Sequence, residues 1–181
     1  MSRRSNRSGG HWRRNQSADA YVQRARAEGW RSRAVFKLEE IDRRERLIRP
    51  GMTIVDLGAA PGGWSQYAAQ KLKGNGRIIA LDLLEIAPLD QVEFIHGDFT
   101  EDAVLNQLMT SLGEQKADLV MSDMAPNISG MKAVDQPRSM LLAELARDLA
   151  LDVLRVGGGL VIKLFQGEGF DEFVRETRAS F

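Results

Sequence analysis

Four aspartates and one lysine stand where apolar runs give way to turns. Asp56 follows Thr53-Ile54-Val55 and opens into Leu57-Gly58-Ala59-Ala60-Pro61-Gly62-Gly63, and Asp82 closes Ile78-Ile79-Ala80-Leu81. Asp98 precedes Phe99 after a short apolar run, and Asp123 follows Met121-Ser122. Lys163 lies within Leu160-Val161-Ile162-Lys163-Leu164-Phe165, where its neighbours should be buried. A lysine there either snorkels from the strand's end or is held in a pocket. In a pocket, desolvation and nearby cations lower its pKa and make it available as a general base near neutral pH. Asp123, at the tip of the next strand, is placed to orient it.

The glycine turn after Asp56 joins an apolar run to an amphipathic one (Trp64, Tyr67, Ala68, Leu72), a strand-turn-helix whose bare backbone lets a ligand approach. Asp82 then sits where the ribose hydroxyls of a bound nucleoside find an acceptor. The spacing is Gly58-x-x-x-Gly62 behind an acid, not the Gly-x-Gly-x-x-Gly that cradles a pyrophosphate. A compact nucleoside such as S-adenosylmethionine therefore fits better than NAD. Asp98 and Phe99 suit an adenine, the carboxylate accepting from the exocyclic amine and the ring packing on the base. Any one strand-end acid can equally be a helix N-cap. Four converging on one face point to a ligand.

The elements that must position these residues follow from periodicity and turn signals. Strands are expected at 53–57, 77–82, 92–95, 117–122 and 160–165, and helices at 63–72, 101–112, 136–154 and 170–180. Upstream, Ser17 can cap a helix through about Glu28 that Gly29 stops. Ser32 can cap a second, with Val35, Leu38 and Ile41 on one face, ending before Pro50. The strands are nearly continuous apolar runs, as in a parallel sheet covered on both faces. Lys73-Gly74-Asn75-Gly76, Pro126-Asn127 and Gly157-Gly158-Gly159 read as turns between elements. The expected fold class is α/β, a doubly wound, mostly parallel sheet whose ligands lie beyond the strands' carboxyl ends. Residues 17–181 form one domain in this reading, behind a basic tail at 1–16.

Composition narrows the chemistry. With 181 residues and no cysteine, the chain has no thiol nucleophile, disulfide or thiolate metal site. Only His11 and His96 are present, and no metal is signalled. No run of eighteen apolar residues exists to span a membrane. A net charge of zero hides an asymmetry, because residues 1–33 carry nine arginines against Asp19 and Glu28. A basic arm on an acidic body suits a polyanion such as nucleic acid. A merely solvated tail is the alternative for residues 1–15.

The chain resembles the FtsJ/RrmJ-type ribosomal RNA 2′-O-methyltransferases from about Tyr21 to Phe181. The resemblance is carried by Arg31-Ser-Arg-Ala-Val-Phe-Lys37-Leu, Asp56-Leu-Gly-Ala-Ala-Pro-Gly-Gly-Trp-Ser-Gln66, Met121-Ser-Asp-Met-Ala-Pro-Asn127 and Phe165-Gln-Gly-Glu-Gly-Phe-Asp-Glu172. It implies a Rossmann-like class I fold, S-adenosylmethionine as cofactor, and a cytoplasmic, monomeric enzyme. The implied acceptor is the ribose 2′-hydroxyl of a uridine in ribosomal RNA, within the large ribosomal subunit. It also implies cofactor contacts at Gly62, Trp64, Asp82, Asp98 and Asp123, beside Asp56, Gly58 and Phe99 from the residues themselves. Of the family's catalytic Lys-Asp-Lys-Glu set, the first three fall on Lys37, Asp123 and Lys163. The glutamate lies in a C-terminal hairpin, and this sequence stops at Phe181. The expectation is a sheet lacking its last two strands, in a fragment or a truncated protein, with an apolar edge left open.

Other readings have specific costs. A pyrimidine C5 methylase needs a cysteine, and an amino-group methylase carries an aromatic where Asn127 follows Pro126. Methylation of tRNA or cap ribose is the alternative within the enzyme class. A non-catalytic RNA-binding ribosome assembly factor is the alternative outside it.

Overall fold

The computed structural model describes residues 20–181. The expected tail at 1–16 and the Ser17 cap lie outside the described residues. The elements are α1 (Ala20–Ala27), α2 (Val35–Glu45), β1 (Thr53–Leu57), α3 (Gly63–Leu72), β2 (Arg77–Asp82) and β3 (Val92–His96). They continue with α4 (Asp102–Leu112), β4 (Ala117–Ser122), α5 (Lys132–Val153), β5 (Leu154–Ile162) and α6 (Phe170–Ser180). The five strands pair in parallel in the order β3-β2-β1-β4-β5. The chain runs outward from β1 through β2 to β3 and then returns to β4, so the order reverses at β1/β4. The fold is the expected α/β doubly wound sheet, Rossmann-like in its winding.

Alternation along the strands divides the core into two layers. Val55, Leu57, Ile79, Leu81 and Val120 pack with Val104, Leu108 and Leu112 of α4 and with Ala146, Leu149 and Val153 of α5. Their neighbours Ile54, Ile78, Leu119 and Met121 face Val35 and Leu38 of α2 and Trp64, Tyr67, Ala68 and Leu72 of α3. Each such buried aliphatic side chain contributes roughly 1.5–3 kcal/mol. All five residues of β1 are buried, as a central strand requires. At the strands' amino ends, Asp118 accepts from Thr53 N at 2.7 Å and from Arg155 Nε at 2.6 Å, pinning β1, β4 and the start of β5.

Four local expectations are corrected. The second helix starts at Val35 without a side-chain cap, Ser32 instead accepting through its carbonyl from Val35 N in a preceding turn. Gly63 shows why Ser32 is elsewhere, since a Cβ there would meet its Oγ at 2.4 Å. Helix α5 begins a turn earlier than Pro137 suggests, at Lys132, because Asp135 accepts from Ser129 N, Ser129 Oγ and Gly130 N. Gly157-Gly158-Gly159 lies within β5 as an irregularity, where Ala117 and Leu119 pair with Leu154 and Gly159. The last strand accordingly ends at Ile162, and Lys163 stands one residue beyond it.

Candidate active site

Beyond the carboxyl ends of the strands lies a cavity of about 660 Å³, within the range of small-ligand pockets. Its wall includes Gly58 and Ala60 of the glycine turn, Asp82 of β2, Asp98 and Phe99 after β3, and Asp123 and Met124 after β4. Leu142 and Leu145, one turn apart on α5, close the far side. Nothing in their heptad-like neighbourhood marks them as ligand-facing, and only the crossing of α5 over the sheet brings them in.

The glycine turn is shaped by close contacts. Gly58 has φ +71°, and a Cβ there would lie 2.3 Å from Met124 Cγ. The turn is also held from below: Gly58 N and Ala59 N both donate to Leu81 O, at 2.9 and 3.1 Å. Asp82 accepts from Ala60 N at 2.8 Å through Oδ2 and from Leu84 N at 2.8 Å through Oδ1. A carboxylate has about four acceptor sites, so each oxygen keeps capacity for a ligand hydroxyl. Asp98 takes Thr100 N and Thr100 Oγ1 on Oδ1, at 2.9 and 2.7 Å. Phe99 packs against the core layer and lines the cavity. Carboxylates beside an apolar, aromatic wall fit a nucleoside, with acceptors for hydroxyls and an amine and a flat surface for a ring.

At the β4/β5 end, Lys163 N donates to Ser122 O at 2.8 Å, carrying the ladder one residue past β5. Its Nζ lies 2.8 Å from Asp123 Oδ1 and donates to the Asp123 carbonyl as well. Asp123 thus belongs to the cavity wall and to the lysine at once.

Other expected residues stand elsewhere. Asp56 and Ser65 are both 0% exposed, and Ser65 Oγ donates to Asp56 Oδ2 at 2.6 Å. Asp56 Oδ1 is buried without a partner among the described residues. Burial pushes this carboxyl up to about 7; the Ser65 hydroxyl draws it down and the Asp123 and Asp82 charges push it up. Asp56 therefore lies beneath the cavity wall, not on it. Trp64 is likewise in the core, its indole nitrogen donating to Ala34 O at 2.9 Å. Gly62 caps α3 with φ +101° and abuts Arg31 and Leu89, away from the cavity lining.

Among the described residues, Lys37 makes its ion pair with Glu40 and not with Asp123. It projects from α2, and its Nζ pairs with Glu40 Oε2 at 3.3 Å. It borders a second depression of about 450 Å³, with Tyr21, Arg24, Arg33, Phe36 and Arg43 and the carboxylates Glu39 and Glu40, which pair with Arg24, Arg43 and Lys37. There the Arg24 guanidinium sits 4.1 Å from the Phe36 ring centroid. Among the described residues, no group of three or more His, Asp or Glu side chains is arranged to hold a metal ion, and no helix is long and apolar enough to cross a membrane.

Ribosomal RNA large subunit methyltransferase E of Legionella pneumophila (strain Corby) is 56% identical over 170 residues, covering 94% of this chain and 82% of its own. The protein of the same name from Stenotrophomonas maltophilia (strain K279a) is also 56% identical over 170 residues, covering 94% and 81%. A crystal structure of a ribosomal RNA methyltransferase from Plasmodium falciparum superposes with a TM-score of 0.77 at 27% identity, over 83% of this chain and 86% of that one. The FtsJ-like methyltransferase family model matches residues 30–181. By that match and those identities, the chain belongs to the FtsJ-like methyltransferase family.

Proposed function

We propose that this protein methylates the ribose 2′-hydroxyl of a uridine in ribosomal RNA of the large subunit, using S-adenosylmethionine. The reading is carried by Asp123, which lines the nucleoside-sized cavity and pairs at 2.8 Å with the one lysine at the strands' carboxyl ends. When bound, S-adenosylmethionine supplies a methyl carbon already activated by its positive sulfur.

The chain's own residues then have two tasks. Asp82 accepts from the ribose hydroxyls of the cofactor, Asp98 accepts from its adenine amine, Phe99 packs on its ring, and Gly58 keeps the backbone low enough for close approach. Asp56, Gly62 and Trp64 support this wall from beneath. Lys163, in its neutral amine form and oriented by Asp123, takes the proton of the target 2′-hydroxyl and becomes the ammonium that Asp123 holds. Positioning contributes roughly 7–11 kcal/mol of barrier lowering. Proton removal contributes about 10²–10⁴-fold. Lys37 and the arginines around Phe36 face the RNA, where guanidinium groups and aromatic rings suit phosphates and bases. The five arginines of the basic arm at 1–16 add charge for RNA to a single methyltransferase domain, 17–181. The enzyme in this reading is a monomer acting on ribosomes in the cytoplasm.

Tritiated-methyl transfer onto undermethylated large subunits, free ribosomal RNA and tRNA tests the proposal. The expected product is 2′-O-methyluridine in large-subunit RNA. Labelling of tRNA alone, or of a base, overturns it.

A further inference from the structure

In sequence, Arg31 is one of the arginines that suggest a polyanionic partner. In the structure its guanidinium is spent on protein carbonyls. Nη1 donates to Ala87 O at 2.6 Å and to Pro61 O at 3.3 Å, and Nη2 donates to Pro88 O at 2.8 Å. The residue's own N–H donates to Gln66 Oε1 at 3.0 Å, and Gln66 Nε2 returns to Gly29 O at 3.0 Å. The guanidinium is thereby fixed at both ends of its reach.

The two segments it joins are those between which the cavity opens. Pro61 belongs to the glycine turn, whose Gly58 and Ala60 line the cavity. Ala87 and Pro88 belong to residues 83–91, which link β2 to β3 with neither helix nor strand. Leu83 and Leu84, at the start of this link, also line the cavity. That start is held by Asp82 through Leu84 N and by the His96 ring, 2.8 Å from Leu83 O. Its far end is held by Arg31. The fit is close, since a Cβ on Gly62 would meet Arg31 Nη1 at 3.0 Å and Leu89 Cδ1 at 3.2 Å.

We propose that Arg31 is a positioning residue for cofactor binding and not a phosphate ligand: it straps the 83–91 link to the glycine turn and holds one cavity wall in its binding shape. A link without regular structure must otherwise be ordered when the ligand arrives, and that cost comes out of affinity. Turning the guanidinium outward to RNA would give up its three bonds to carbonyls of the turn and the link. The identity of the ligand rests on the function proposed above; the strap itself does not.

Arg31→Ala and Arg31→Lys in the full chain provide the test, with three readouts. Amide exchange of the ligand-free protein should rise across 83–91 and stay unchanged in the central strands. Calorimetric titration with S-adenosylmethionine should show affinity weakened about tenfold in both variants, because lysine's single ammonium cannot reproduce a fork to three carbonyls. The salt dependence of RNA binding should not change. Unchanged exchange and affinity overturn the proposal. A salt slope reduced by about 0.7–0.9 with cofactor affinity intact also overturns it, assigning Arg31 to a phosphate. Exchange rising throughout the sheet, with affinity intact, marks a merely structural role and overturns it too. Failure of the unsubstituted protein to bind S-adenosylmethionine would count against the proposed function, while exchange across 83–91 would still decide the strap.

Discussion

Lys163 Nζ and Asp123 Oδ1 are 2.8 Å apart, and the same amine donates to the Asp123 carbonyl, so one residue grips the lysine through both its side chain and its backbone. Lys163 is anchored in turn through its N–H to Ser122 O, directly before Asp123. The pair is a short, closed arrangement at the adjoining ends of β4 and β5, and its geometry depends on the ladder between them.

Lys163→Ala should abolish methyl transfer, with a fall in kcat of about 10²–10⁴-fold or more, and leave cofactor affinity nearly unchanged. Single-turnover methylation and calorimetry measure the two effects separately. Near-normal turnover would remove Lys163 from the mechanism.

Asp82→Ala should act on binding. Its carboxylate orients Ala60 N and Leu84 N and keeps acceptor capacity for the ribose. Loss of hydrogen bonds to a charged group predicts cofactor affinity weaker by roughly 10–100-fold. An unchanged dissociation constant would mean that the ribose is held elsewhere.

Asp56 makes stability depend on pH in a definite sense. Its folded-state value of about 7 lies above the ordinary carboxyl value, so the stabilisation it gives is full below about pH 4. That stabilisation is lost as pH rises toward 7 and beyond. Urea unfolding of the ligand-free protein at pH 5 and pH 8 should show the loss, at most about 3 kcal/mol of it from this group over that interval. Asp56→Asn, which keeps an acceptor for Ser65 Oγ, should remove that component. Equal pH dependence in the two proteins would refute the assignment.

Deleting residues 1–16, which carry five arginines, should weaken RNA binding and flatten its salt dependence. The log-log slope should fall by about 0.7–0.9 for each phosphate that the shortened chain no longer neutralises. A slope that stays put would leave the arm facing only solvent.

The sheet was legible because its strands are continuous apolar runs punctuated by glycine, and β1, β2 and β4 lie at 53–57, 77–82 and 117–122 as read. The strand-end acids were legible for the same reason, since a parallel sheet must present its carboxyl ends on one side. Depth was not legible. Asp56 and Asp82 both read as strand-end acids, yet Asp56 lies inside β1 opposite Ala80 and is sealed against Ser65, while Asp82 ends β2 and lines the cavity. That difference depends on α3 folding back over β1, a tertiary event. The contacts of Arg31 were illegible for a related reason: its charge is visible in sequence, but the carbonyls of Ala87 and Pro88, 56 and 57 residues away, are not. The three glycines inside β5 carried a turn signal, and the ladder to β4 absorbed them into the strand.

The reversal of strand order at β1 has a consequence for how the protein comes into being. Everything that would grasp the nucleoside on the β2/β3 side is encoded before residue 101, in elements that pair with near neighbours in sequence. Asp123 and Lys163 arrive only when β4 zips onto β1, a junction whose partners Thr53 and Asp118 are 65 residues apart. Long-range pairing of this kind is slow, and domains mature in order of synthesis. Within one domain the two halves fold as a unit, so the cavity takes its full shape only after β4 and β5 have emerged and docked.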